Sequence, residues 1–92
     1  MNKGELVNAV AAQAGLSKGD ANRAVDITFQ VITEALQRGD EVKLVGFGSF
    51  LVAQRAAGEA RNPRTGEKVQ VPAQRTPRFR AGAQLRSAVN SQ

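Results

Sequence analysis

From Arg55 to Arg75 the chain offers almost no large apolar side chain, and this constrains its fold more than anything else in the sequence. Ala56, Ala57, Gly58 and Ala60 are too small to bury much surface, while Val69 and Val71 keep the β-branched preference for strand. A stretch like this cannot build a core of its own. The pattern predicts a two-stranded ribbon projecting from a body that the rest of the chain folds. In Arg61-Asn62-Pro63-Arg64-Thr65-Gly66 the Asn-Pro pair opens a tight turn, Gly66 supplies a backbone angle that other residues resist, and the Thr65 hydroxyl can cap backbone or bond an anion. Pro72 has no N–H to give a ladder, which suits an edge or a bulge. An isolated ribbon is marginal in water, so the arm is expected to be mobile until something binds it.

The body reads as two helices followed by a sheet. Asn2 and Glu5 match a capping pattern, and Leu6, Ala9, Val10 and Gln13 recur at helical spacing, predicting a first helix from about Lys3 to Ala14 that Gly15 ends. Ser17 and Asp20 repeat the pattern. Ala21, Ala24, Val25, Thr28, Ile32, Ala35 and Leu36 mark the inner stripe of a longer helix, widened by Ile27, Phe29 and Val31 and closed by Gly39. From Glu41 the period becomes two: Val42 and Leu44 alternate with charges, and Ser49 to Ala53 continues the strand pattern beyond Gly46-Phe47-Gly48, where the backbone bends and the phenyl ring is expected to pack inward. After Pro77, Phe79 returns to the core, Gly82 allows a bend, and Leu85, Ala88 and Val89 form the inner side of a short last helix.

Such a body is thin for 92 residues, because the aromatics are only Phe29, Phe47, Phe50 and Phe79. Small domains generally need a disulfide, a metal or a second subunit. Cysteine and histidine are both absent, which excludes disulfides and the usual zinc sites and leaves association as the remaining staple. The second helix, apolar around more than one face, points the same way. No apolar run approaches the ~20 residues that span a bilayer, and Glu5, Asn8 and Gln13 interrupt the apolar start that superficially resembles an export signal. A cytoplasmic protein without membrane, metal, cofactor or small-molecule substrate is expected.

The net charge of +5 is unevenly placed. Up to Val45 five bases, Lys3, Lys18, Arg23, Arg38 and Lys43, face six acids; from Gly46 onward eight bases, Arg55, Arg61, Arg64, Lys68, Arg75, Arg78, Arg80 and Arg86, face only Glu59 and Glu67. A near-neutral half joined to a basic half suggests a platform presenting a nucleic-acid surface. With Arg55 at the base and Pro63 near the tip, about eight steps of ~3.3 Å give the ribbon a reach of roughly 25 Å. That exceeds the width of a DNA groove. Arg55, Arg61, Arg64 and Arg75 can bridge phosphates or enter a minor groove, contacts that position without reading sequence. Pro63 has two readings, a simple turn former or an apolar wedge that unstacks a base step and kinks the duplex. Alternation places Arg55, Glu59 and Arg61 on one face of the ribbon, with the register of the returning strand left open.

The whole chain resembles the bacterial HU / integration host factor family of DNA-bending proteins. The resemblance is carried by Gly46-Phe47-Gly48-Ser49-Phe50, Arg55, Arg61-Asn62-Pro63-Arg64-Thr65-Gly66, Phe79-Arg80-Ala81-Gly82 and Leu85-Arg86, and the opening Met1-Asn2-Lys3 is closer to the HU branch. It implies an α+β fold: an intertwined dimer with a helical body (1–39), an antiparallel sheet and saddle (40–54 and 75–82), two protruding β-ribbon arms (55–74) that curl around DNA in the minor groove, and a C-terminal helix (83–91). It also implies that Pro63 intercalates, that Arg55 and Arg61 line the DNA face, and that Lys3, Lys18 and Arg86 touch backbone along the flanks. Asn62, Arg64, Lys68, Arg78 and Arg80 complete the candidate DNA-binding set. Phe29, Phe47, Phe50 and Phe79 fall to the core of a homodimer, or of a heterodimer with a paralogue. Where the family often carries basic residues, this chain has Leu51, Gly58, Gln70 and Ala83.

The expected function is therefore non-enzymatic: nucleoid-associated bending and compaction of duplex DNA with little sequence preference. Site-selective bending of the integration host factor type is the alternative. A basic ribbon gripping folded RNA is a competing class, though the arm lacks the aromatics that stack on unpaired bases. A ligand-free dimer leaves the charge asymmetry unexplained. Nothing assembles a catalytic constellation, since His, Cys and a phosphate-binding glycine loop are all missing.

Overall fold

The computed structural model describes residues 1–91, which form two compact units, Met1–Glu34 and a second that starts at Ala35. The first holds α1 (Lys3–Ala14) and most of α2 (Lys18–Gln37). Both helices start where the caps predict: the Asn2 side chain accepts from the Glu5 N–H at 2.9 Å, and the Ser17 hydroxyl from the Asp20 N–H at 3.1 Å. Each cap satisfies an amide that the helix itself leaves without a partner.

The core of this unit is Val7, Ala11, Ala21 and Val25, with Leu6 and Val10 partly buried against it. That corrects the stripe read from the sequence, which centred on Leu6, Ala9, Val10 and Gln13; Gln13 is exposed. Val7/Ala11 and Ala21/Val25 are each an i, i+4 pair, and the two alanines let the helix backbones approach closely. Leu6 and Val10 form the neighbouring ridge, which borders an open apolar groove with Ala24, Val25, Thr28 and Phe29. Ile27, Phe29 and Val31 remain 50%, 51% and 57% exposed, too much apolar surface for the single chain to cover.

In the second unit α2 ends in a reversal, with the Gly39 N–H on the Leu36 carbonyl at 3.0 Å and the Asp40 N–H on that of Ala35 at 2.9 Å. Strands β1 (Val42–Leu44), β2 (Gly48–Arg55) and β5 (Gln74–Ala81) then make an antiparallel sheet in the order β1-β2-β5. Phe50 pairs with Phe79 across β2 and β5 with ring centroids 4.9 Å apart, and Phe47 lies 5.4 Å from Phe79. Gly48 is what permits this. A Cβ there would sit 2.5 Å from the Phe79 ring and 2.6 Å from the Arg80 carbonyl oxygen. Phe47 departs from the expected inward packing: one side of the ring meets Phe79 and the other stays open, leaving Phe47 47% and Phe79 42% exposed.

The arm is β3 (Gly58–Arg61) paired antiparallel with β4 (Lys68–Val71). It is a separate two-stranded sheet rather than one ladder continuing from β2 and β5. The last pair below is Arg55 with Gln74 and the first above is Gly58 with Val71, so Ala56 and Ala57 face Pro72 and Ala73 across a gap of two residues on each strand. Pro72 cannot donate a ladder bond, and the small alanines give the gap nothing to pack with. Pro77, in contrast, sits within β5 opposite Val52, tolerated on an edge strand. Helix α3 (Ala83–Asn90) follows Gly82. Leu85 is half-buried, but Ala88 is exposed and Val89 is 75% exposed, so the inner side expected from Ala88 and Val89 is open in one chain.

Candidate nucleic-acid interface

The tip is held by its own backbone. The Asn62 N–H donates to the Glu67 carbonyl at 2.8 Å and the Gly66 N–H to the Asn62 carbonyl at 2.8 Å, closing the turn across four residues. The Asn62 side chain accepts from the Arg64 N–H at 2.9 Å, and the Thr65 hydroxyl from the Glu67 N–H at 3.3 Å. Gly66 has φ 73, a left-handed angle that side-chain-bearing residues resist. Asn62, one of the candidate DNA contacts, and Thr65, for which the sequence left a backbone cap or an anion bond open, are both engaged in shaping the loop. Their effect is to leave Pro63 and Arg64 exposed at the end of the arm.

The register left open by the sequence now has an answer. Glu59 pairs with Gln70 and Arg61 with Lys68, and residues directly opposite in an antiparallel ladder share a face. On the sheet, Arg55 pairs with Gln74, Ala53 with Thr76, Leu51 with Arg78 and Ser49 with Arg80. The gap removes equal lengths from both strands, so the register is kept across it. Arg80, Arg78 and Arg55 fall on one face of the sheet and Phe50, Phe79, Val52 and Pro77 on the other, while in the arm Arg61 and Lys68 share one face and Ala60 and Val69 the other.

Among the described residues, the guanidiniums of Arg55, Arg61, Arg64, Arg78 and Arg80 form no ion pair and no hydrogen bond. Only Lys68 is opposed, by Glu59 at 4.0 Å, and Glu59 also accepts from Gln70 at 3.4 Å. A row of unpaired guanidiniums on an exposed strand is open to anions, since no internal contact must break before an external one forms.

The remaining candidates are dispersed. Arg75 lies on the opposite face, paired with Gln54, and its guanidinium donates to the carbonyls of Leu36 and Gln37 at 3.0 and 3.2 Å. Lys3 pairs with Asp26 at 2.6 Å, both side chains about half exposed, and Lys18 opens α2. These two belong to the first unit. Arg86 is exposed on α3. Ser49, Thr76 and Gln74 share the arginine face of the sheet and are not among the candidates read from the sequence; counting back by twos from Arg80 and Arg78 reaches Thr76 and Gln74. No group of three or more metal-ligating side chains occurs among the described residues.

Comparison with known proteins matches residues 1–90 to the family described as bacterial DNA-binding protein. DNA-binding protein HU-1 of Halalkalibacterium halodurans is 57% identical over 90 residues, covering 98% of this chain and 100% of the relative. DNA-binding protein HU of Geobacillus stearothermophilus is 56% identical over 89 residues, or 97% and 99% of the two chains. Among solved structures, a co-crystal of Anabaena HU with DNA superposes with a TM-score of 0.87 at 48% identity over 100% of both chains.

Proposed function

The chain belongs to the bacterial DNA-binding protein family that includes HU, and from that premise we propose that it is a dimeric, non-enzymatic architectural protein that binds duplex DNA through the minor groove and bends it. The observation that carries this reading is the row of unpaired Arg80, Arg78 and Arg55 on one face of the sheet, followed along the chain by an arm with an unpaired Arg61 and an exposed proline at its tip. Guanidiniums so placed neutralise successive phosphates and favour a narrow, strongly negative groove. Such contacts fix position and say little about sequence.

Pro63 supplies the wedge. Its ring is rigid, apolar and free of structural duty beyond the turn, and inserting it at a base step unstacks the step and lets more backbone reach the protein. The two-subunit state is supported by Ile27, Phe29 and Val31, and by the Phe47–Phe79 surface that one chain leaves half open. Association gives this apolar area somewhere to go. A protein that gathers duplex DNA in this way belongs with the nucleoid in the cytoplasm.

The test is a bend measurement by end-to-end energy transfer on a linear duplex of random sequence, for the wild type and Pro63→Ala. The variant is expected to lose most of the bend while its affinity falls much less; equal bends would remove the wedge. Affinity should drop steeply with salt because counterions are released on binding. A nearly flat response, or tight binding restricted to one sequence, contradicts the proposal.

A further inference from the structure

We propose that Arg75 is a positioning residue that pins the root of the arm to the end of α2, and that it is not one of the DNA contacts. This rests on reading the arm as the DNA-binding element. Of the five arginines between Arg61 and Arg80, Arg75 alone has its guanidinium engaged, and it alone in β5 stands on the phenylalanine face. Helix α2 carries no basic residue in its last turn. Its final carbonyls, and the negative end of its dipole, are met instead by a cation from a strand 38 and 39 residues further along the chain.

What gives this contact a consequence is its place. Arg75 is the second residue of β5, directly on the body side of the gap formed by Ala56, Ala57, Pro72 and Ala73. The ladder is therefore clamped immediately below the gap and unsupported above it. The pivot of the arm is confined to those four residues, so that β3 and β4 swing as one piece while Arg55, Arg78 and Arg80 keep a fixed direction. Without the clamp, loosening spreads down into β5, and the sheet arginines lose their alignment.

The experiment compares Arg75→Met with Arg78→Met in the full-length protein, by backbone amide relaxation without DNA and by salt-dependent titration of a linear duplex. In Arg75→Met the amides of Gln54, Arg55, Gln74 and Thr76 are expected to become as mobile as those of β3 and β4, with the slope of log K against log salt unchanged. In Arg78→Met those amides stay rigid and the slope falls by about 1, as the loss of one phosphate contact requires. Rigid root amides in Arg75→Met, or a slope that falls by about 1, would overturn the assignment. The double variant Gln74→Arg/Arg75→Gln keeps the charge but moves the guanidinium to the other face; it should loosen the same amides while steepening the slope, and a rigid root there counts equally against the clamp. Because relaxation is read without DNA, a wild type that ignored the duplex would sink the DNA-binding reading and still leave the clamp tested.

Discussion

The helical unit Met1–Glu34 and the arm from Arg55 to Gln74 obtain their shapes by opposite means. In the first, two capped helices close on a dry cluster of Val7, Ala11, Ala21 and Val25, with Ala21 fully buried. In the second, Asn62 and Val71 are half-buried and every other residue is exposed, and the hydrogen bonds are a four-pair ladder and a self-closing turn. Apolar burial holds the helices; local backbone bonding sketches the arm without stabilising it, because exposed hydrogen bonds exchange with water at little net gain. The difference is one of means: the helices have a buried apolar cluster to close on, and the arm has none.

The largest break in that comparison comes from removing the same two methyl groups in each region. Val25→Ala should cost about 2 kcal/mol and lower the melting temperature by roughly 10 °C, since it deletes buried surface and leaves a void. Charge changes on the arm come next and leave melting alone. Arg61→Gln should weaken duplex binding several-fold and lower the salt slope by about 1, whereas Glu59→Gln, which releases Lys68 and removes the one carboxylate of the ladder, should strengthen binding by about two- to threefold. Titrations at several ionic strengths read both. The smallest effect belongs to Val69→Ala, within about 0.5 kcal/mol by thermal unfolding, because Val69 is already 47% exposed. A loss as large as that of Val25→Ala would mean the arm has a core after all.

Much of this architecture was legible from local chemistry. Asn2, Gly15 and Ser17 placed the helix ends, the switch to period two at Glu41 placed the sheet, and Asn62-Pro63 with Gly66 placed the tip. What escaped depends on partners remote in sequence. Val7 and Ala11 rather than Leu6 and Val10 centre the core because α2 presents Ala21 and Val25 to them, a choice no single helix reveals. Arg75 reads as one more arm cation until the pairing with Gln54 shows which way it points. Alternation alone assigned Arg55, Glu59 and Arg61 to one face, but Lys68 could join Arg61 only once the register was known. The gap at Ala56-Ala57 was hidden for a related reason: Pro72 announces an interruption, and only the register shows that the interruption shifts nothing.

The central claim, that the arm takes its order from a duplex and not from itself, is tested most directly by amide hydrogen exchange across Gly58–Val71 and α2, with and without a saturating linear duplex at low salt. The account predicts arm amides that exchange at nearly open-chain rates alone and become protected when bound, beside α2 amides protected in both conditions. An arm as protected as α2 without DNA, or one that stays unprotected with the duplex bound, contradicts it.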